Sequence, residues 1–66
     1  MTITVNGEPR ALPGGCTVAD LLDRLGLGQR ACAVEVDRAL VPRRDHTARR
    51  LHPGAAVEIV TLVGGG

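Results

Sequence analysis

No phenylalanine, tyrosine or tryptophan occurs in the chain. Its core has to be built from leucine, valine, isoleucine and alanine, and no ring is available on which a nucleobase or sugar could stack. Single-stranded nucleic acid is therefore a poor candidate ligand. Lysine is absent as well, since all eight basic residues are arginine. That excludes Schiff-base chemistry and any side-chain amine that could accept an isopeptide bond from a second copy. Eight arginines against seven acidic residues give a net charge of +1, far from the basic footprint of a nucleic-acid binder. No apolar run approaches the ~20 residues needed to cross a bilayer. With no signal peptide in view, the expectation is a soluble, cytoplasmic protein. Cys16 and Cys32 then stay reduced. They read as small buried hydrophobes, with a redox or persulfide role as the alternative.

What is present is a single short domain. A chain of 66 residues buries only roughly 60% of its unfolded surface, which leaves no room for a deep cleft. Met1 to Val5 alternates, with Met1, Ile3 and Val5 on one face, the period of a half-buried strand. Asn6 and Gly7 follow directly, a pair suited to the two positive φ values of a type I′ hairpin turn. Glu8 to Leu12 should return antiparallel, and Pro9 places that strand at a sheet edge. After the break at Pro13, Gly14 and Gly15, Thr17 and Asp20 form a capping box with Asp in place of the usual Glu or Gln. Val18, Leu21, Leu22 and Leu25 make one apolar helix stripe. Cys16 is placed to staple onto Leu21, and Gly26 to end the helix in the left-handed region, with Leu27 folding back.

Period two returns at Cys32, Val34 and Val36, the third strand. Asp37 and Arg38 turn the chain, Leu40 and Val41 make a short strand, and Pro42 ends it. Arg43 to Arg50 reads as a solvated loop with one helical turn, pinned back by Leu51. His52, Pro53 and Gly54 form a turn before the last strand, Ala55 to Thr61. There Val57 and Ile59 face inwards, and Glu58, Val60 and Leu62 face out. The glycines Gly64, Gly65 and Gly66 close this apolar strand directly, with no serine linker or tag after them. Having no side chains, they can enter a channel too narrow for any Cβ. The expected organisation is a domain over residues 1–61 and a flexible tail over 62–66. Fully extended at ~3.3–3.6 Å per residue, Leu62 to Gly66 reaches about 17 Å.

Four stretches carry a resemblance to a known family: the opening strand with Asn6 and Gly7, the helix start Thr17 to Leu22, Ala33 to Asp37 followed by Val41, Pro42 and Arg43, and the ending Leu62 to Gly66. Together they resemble the β-grasp, ubiquitin-like fold, and within it the ThiS family of sulfur carriers in thiamine biosynthesis. The implied fold is α+β, a mixed sheet of four to five strands with one helix across one face. The implied chemistry lies on the Gly66 carboxylate. A ThiF-type enzyme adenylates it with ATP, sulfur from a persulfide donor converts it to a thiocarboxylate, and thiazole synthase (ThiG) receives the sulfur. On this resemblance the chain is a protein cosubstrate rather than an enzyme, a monomer when free, with no bound cofactor or metal. Leu62, Val63, Gly64 and Gly65 are the tail-recognition residues. Val60, Glu58 and Arg43 are the candidate partner surface. His46 stands where an aromatic often follows the Pro, Arg pair.

Other readings come from other classes: the small subunit of molybdopterin synthase, or a noncovalent ubiquitin-like binding module with an inert tail. His46 and His52 lack partners at metal-ligand spacing apart from Asp45, and read as solvated or turn residues. The pairs Arg43, Arg44 and Arg49, Arg50 fit either an acidic or phosphate-bearing partner or a solvated loop. Gly14 and Gly15 mark a turn, because no lysine follows to make a phosphate loop. No nucleophile, base and orienting group come together in the sequence.

Overall fold

The computed structural model describes residues 1–62. Its elements are β1 (Thr2–Val5), β2 (Glu8–Ala11), α1 (Val18–Arg24), β3 (Cys32–Val36), β4 (Ala39–Val41), a 3₁₀ turn (Arg43–Asp45) and β5 (Ala56–Thr61). The strands form one mixed sheet in the order β2-β1-β5-β3-β4. β5 pairs parallel with β1 and antiparallel with β3, and the two hairpins flank it. This is the α+β, β-grasp arrangement expected from the sequence, with five strands.

Each element has a local cause. Asn6 (φ 51°) and Gly7 (φ 85°) both lie in the left-handed region that a type I′ turn requires. β2 is an edge strand, so the missing N–H of Pro9 costs the sheet nothing. At the helix start, the Asp20 N–H donates to Thr17 Oγ1 (3.1 Å) and the Thr17 N–H donates to Asp20 Oδ2 (3.0 Å). The Thr17 backbone N–H, and after it the Thr17 side chain, hold the Asp20 carboxyl below its ordinary range. At the other end, the Leu27 N–H reaches Leu22 O (2.8 Å) and the Gly26 N–H reaches Asp23 O (3.1 Å). With Gly26 at φ 75°, this is a Schellman cap.

The core is wholly aliphatic apart from a thiol. Ile3, Val18, Leu21, Val34, Val36 and Val57 are its largest fully buried side chains, and Cys16 lies among them. One polar residue joins this core, at a position that the polar loop pattern alone predicts to be solvated. His46 is 7% exposed, and its Nε2–H donates to Val41 O (3.1 Å). The segment 43–50 is thus more than a solvated loop. Carbonyls of His46 and Arg49 accept the N–H groups of Ala19 and Val18, both at 2.9 Å. Those donors open the helix and have no partner within it. The loop caps the helix, and capping carries the His46 imidazole inwards with the chain.

The β3–β4 turn is strained. Asp37 (φ 51°) and Arg38 (φ 70°) are both left-handed without being glycine. Asp37 offsets this with side-chain bonds: Oδ1 accepts the Ala56 N–H (3.0 Å) and Oδ2 accepts from His52 Nε2 (2.6 Å). Since His52 Nδ1 also donates, to Pro53 O (2.9 Å), both ring nitrogens carry protons in this geometry, which is the imidazolium. The Asp37 bond raises the His52 pKa above 6.5, and the Ala56 N–H and then His52 lower that of Asp37 below 3.8.

Two outcomes follow from this turn. Arg38→Gly removes the left-handed penalty of a side chain that makes no ion pair among the described residues and should raise stability by about 1 kcal/mol in urea denaturation. A folded-state pKa below the unfolded one, as at Asp37, gives stability present above about pH 4 and lost as pH falls. A raised one, as at His52, gives stability fully present below about pH 6.5 and lost as pH rises through the higher folded-state value. The melting temperature should therefore form a plateau between those limits. Asp37→Asn, which keeps the left-handed backbone and the bond from Ala56, should flatten the alkaline limb.

Candidate functional site

β5 leads towards the glycine ending from the middle of the sheet. Its last rungs set where that ending starts. Cys32 pairs with Thr61, and the Leu62 N–H donates to Ala31 O (2.9 Å). On the opposite side β1 stops at Val5, which pairs with Val57, so the peptide groups of Ile59 would face an empty lane. Asn6 fills it. Its Oδ1 accepts the Ile59 N–H (2.8 Å) and its Nδ2 donates to Ile59 O (3.1 Å), while its own N–H donates to Val57 O (2.8 Å). One turn residue thereby extends the parallel ladder by a rung.

Beside this clamp the inner face of the sheet is left partly uncovered by the short helix. A groove of about 730 Å³ runs there, lined in part by Val5, Arg10, Leu25, Leu27, Ile59 and Thr61. The outer face carries the largest exposed aliphatic side chains: Leu40 (66%), Val60 (60%) and Leu62 (54%). Glu58 shares that face with Val60, as strand alternation requires.

Of the residues proposed from the sequence as a partner surface, Glu58 and Val60 are thus brought together. Arg43 is not. It opens the 3₁₀ turn and lines a separate cavity of about 200 Å³ on the helix side, with Arg30, half-buried Cys32 and His46. Leu62 is exposed at the end of the described chain. Val63, Gly64, Gly65 and Gly66, proposed for tail recognition and sulfur attachment, lie outside the described residues. The role of Asn6 went beyond its reading as a turn residue, because its side-chain partner is 53 positions away. Among the described residues no three His, Cys, Asp or Glu side chains gather to hold a metal ion. No described helix is long and apolar enough to cross a membrane.

Comparison with known proteins decides among β-grasp families. The profile of the ThiS family matches residues 3–66. This chain belongs to the ThiS family. A solved ThiS-family relative, the thiamine biosynthesis protein (ThiS) of Geobacter metallireducens, superimposes with a TM-score of 0.84 at 32% identity over the whole of both chains. Two curated relatives are named thiazole synthase, from Paramagnetospirillum magneticum (36% identical) and Magnetococcus marinus (38%). The ThiS-family chain aligns over its full length with each, yet spans only 20% of theirs. An uncharacterised protein, ycf40 of Porphyra purpurea, is 32% identical, and the alignment takes in 93% of its length.

The Asn6 clamp gives a separable prediction. Asn6→Gly keeps the left-handed turn but removes two hydrogen bonds to Ile59, a loss of about 1–3 kcal/mol. Urea denaturation should register that loss, and hydrogen exchange should speed up at the Ile59 amide more than at the amides of β2.

Proposed function

We propose that this chain is a sulfur carrier, a protein cosubstrate whose reactive group is the Gly66 carboxylate. The observation that carries this reading is a β-grasp sheet whose central strand runs on into Gly64, Gly65 and Gly66, in a member of the ThiS family. A carboxylate is a poor electrophile at neutral pH. Exchanging its oxygen for sulfur needs a leaving group, so a ThiF-type partner joins it to AMP from ATP, releasing pyrophosphate. Attack by a persulfide sulfur expels AMP, and reductive cleavage of the resulting acyl disulfide by a thiol leaves the thiocarboxylate. That group is a sulfur nucleophile held on a protein handle.

The acceptor is a thiazole synthase that builds the thiazole ring of thiamine. Supporting this assignment are the relatives of that name, in which a region similar to the present chain forms one-fifth of the length. The role of the domain in this scheme is presentation. It offers a folded surface for recognition and leaves the chemistry to partners, while the glycines enter their active sites. ATP is consumed by the adenylating partner and is not a bound cofactor of the carrier.

Incubation with a ThiF-type enzyme, ATP and a persulfide donor, followed by a reducing thiol, should raise the carrier's mass by the exchange of one oxygen for one sulfur at Gly66. An unchanged mass in the presence of an active partner would rule the reading out. Deleting Gly65 and Gly66 should abolish the mass gain without altering the urea midpoint. A chain that keeps its cellular function after that deletion is a binding module instead.

A further inference from the structure

On the outer face of the sheet, Glu35 on β3 and Glu58 on β5 stand directly opposite one another, and both are exposed. Side chains in such register lie ~4.5–5.5 Å apart at Cβ, where like charges are destabilising. Among the described residues neither carboxylate has an ion-pair partner, for the ion pair found there is His52 with Asp37. The pair sits on two adjacent strands of the sheet interior and is bordered by apolar groups. Leu40 lies opposite Glu35 on its other side, and Val60 lies opposite Ala33, two positions along the strands. The three largest exposed aliphatic side chains therefore share a face with an uncompensated pair of negative charges. Folding gains nothing from either feature.

We propose that Glu35 and Glu58 together form a socket for one guanidinium or ammonium group of a thiazole synthase, with Leu40 and Val60 excluding water around it. This rests on the acceptor assigned above. Charge complementarity argues for the cation. A positive group set between two carboxylates gains two ion pairs and relieves their repulsion, so binding removes an unfavourable term that the free carrier holds. The relatives named thiazole synthase point to the occupant, because a region similar to this chain makes up 20% of their length. Leu62 lies on the same face and leads to the glycine ending. Docking through this surface would therefore hold the reactive end beside the enzyme that consumes its sulfur.

The test is titration calorimetry of the full chain against a thiazole synthase, at low and high salt, for wild type, Glu35→Gln, Glu58→Gln and the double variant. Gln preserves size and removes charge, so folding is retained and thermal melting should move upwards. Each single change should weaken binding on the order of ten-fold, and the double variant more, with a shallower salt dependence. Double-variant binding equal to wild type overturns this proposal alone. A wild-type chain that binds no thiazole synthase overturns both the socket and the acceptor.

Discussion

The parallel pairing of β1 with β5 is the contact on which the rest of the fold depends. It joins the two ends of the sequence, at Thr4 with Ala56 and Val5 with Val57. By doing so it makes one sheet of two hairpins that are each local. Parallel pairs need a long crossover, and here the crossover contains the helix, β3, β4 and the capping loop. Everything between Glu8 and Ala55 is therefore folded inside a closure made by its two flanking strands. The same pairing puts β5 at the centre of the sheet, where it is held on both sides.

Without phenylalanine, tyrosine or tryptophan, the core relies on small shapes fitting closely. Four valines, Val18, Val34, Val36 and Val57, with Ile3 and Leu21 are its largest fully buried side chains. β-branched residues suit the pleated surface, and their few rotamers limit the entropy lost on packing. The position where the family resemblance leads one to look for a large aromatic side chain holds His46, whose smaller imidazole ring is buried. An imidazole there needs a partner for its N–H, and Val41 O supplies it. Among the described residues every buried side-chain nitrogen or oxygen has a hydrogen-bond partner, so this polar intrusion leaves no orphan behind it.

What could be read from the sequence was what is decided within a few residues. Asn6 with Gly7, Thr17 with Asp20, and Gly26 with Leu27 each specify a local geometry by their own steric and hydrogen-bonding limits, and each adopted it. Alternation in β3 and β5 likewise fixed which side chains are buried. The sequence was silent on what depends on pairing across distance. Burial of His46 follows from its loop capping the helix start, and the bond between Asn6 and Ile59 follows from β1 ending where β5 continues. That Glu35 faces Glu58 is a matter of register, which neither strand specifies alone. The turn at Asp37 and Arg38 was found, but its double left-handed backbone was hidden by the absence of glycine. Strand alternation places Glu58 and Val60 on an outer face, but nothing in the sequence says on which side of the sheet the loop carrying Arg43 lies, and the structure puts it on the helix side.

The extra rung supplied by Asn6 has a mechanical meaning. β5 is a central strand held on one side by β1 at Ala56 and Val57 and by Asn6 at Ile59, and on the other by β3 as far as Thr61. A pull applied at Leu62 along the strand axis loads many of these bonds at once, in shear, instead of peeling them one by one from an edge. The domain then behaves as a stiff handle. Tension applied at Leu62 is carried to the whole sheet, and the point of attachment does not unzip.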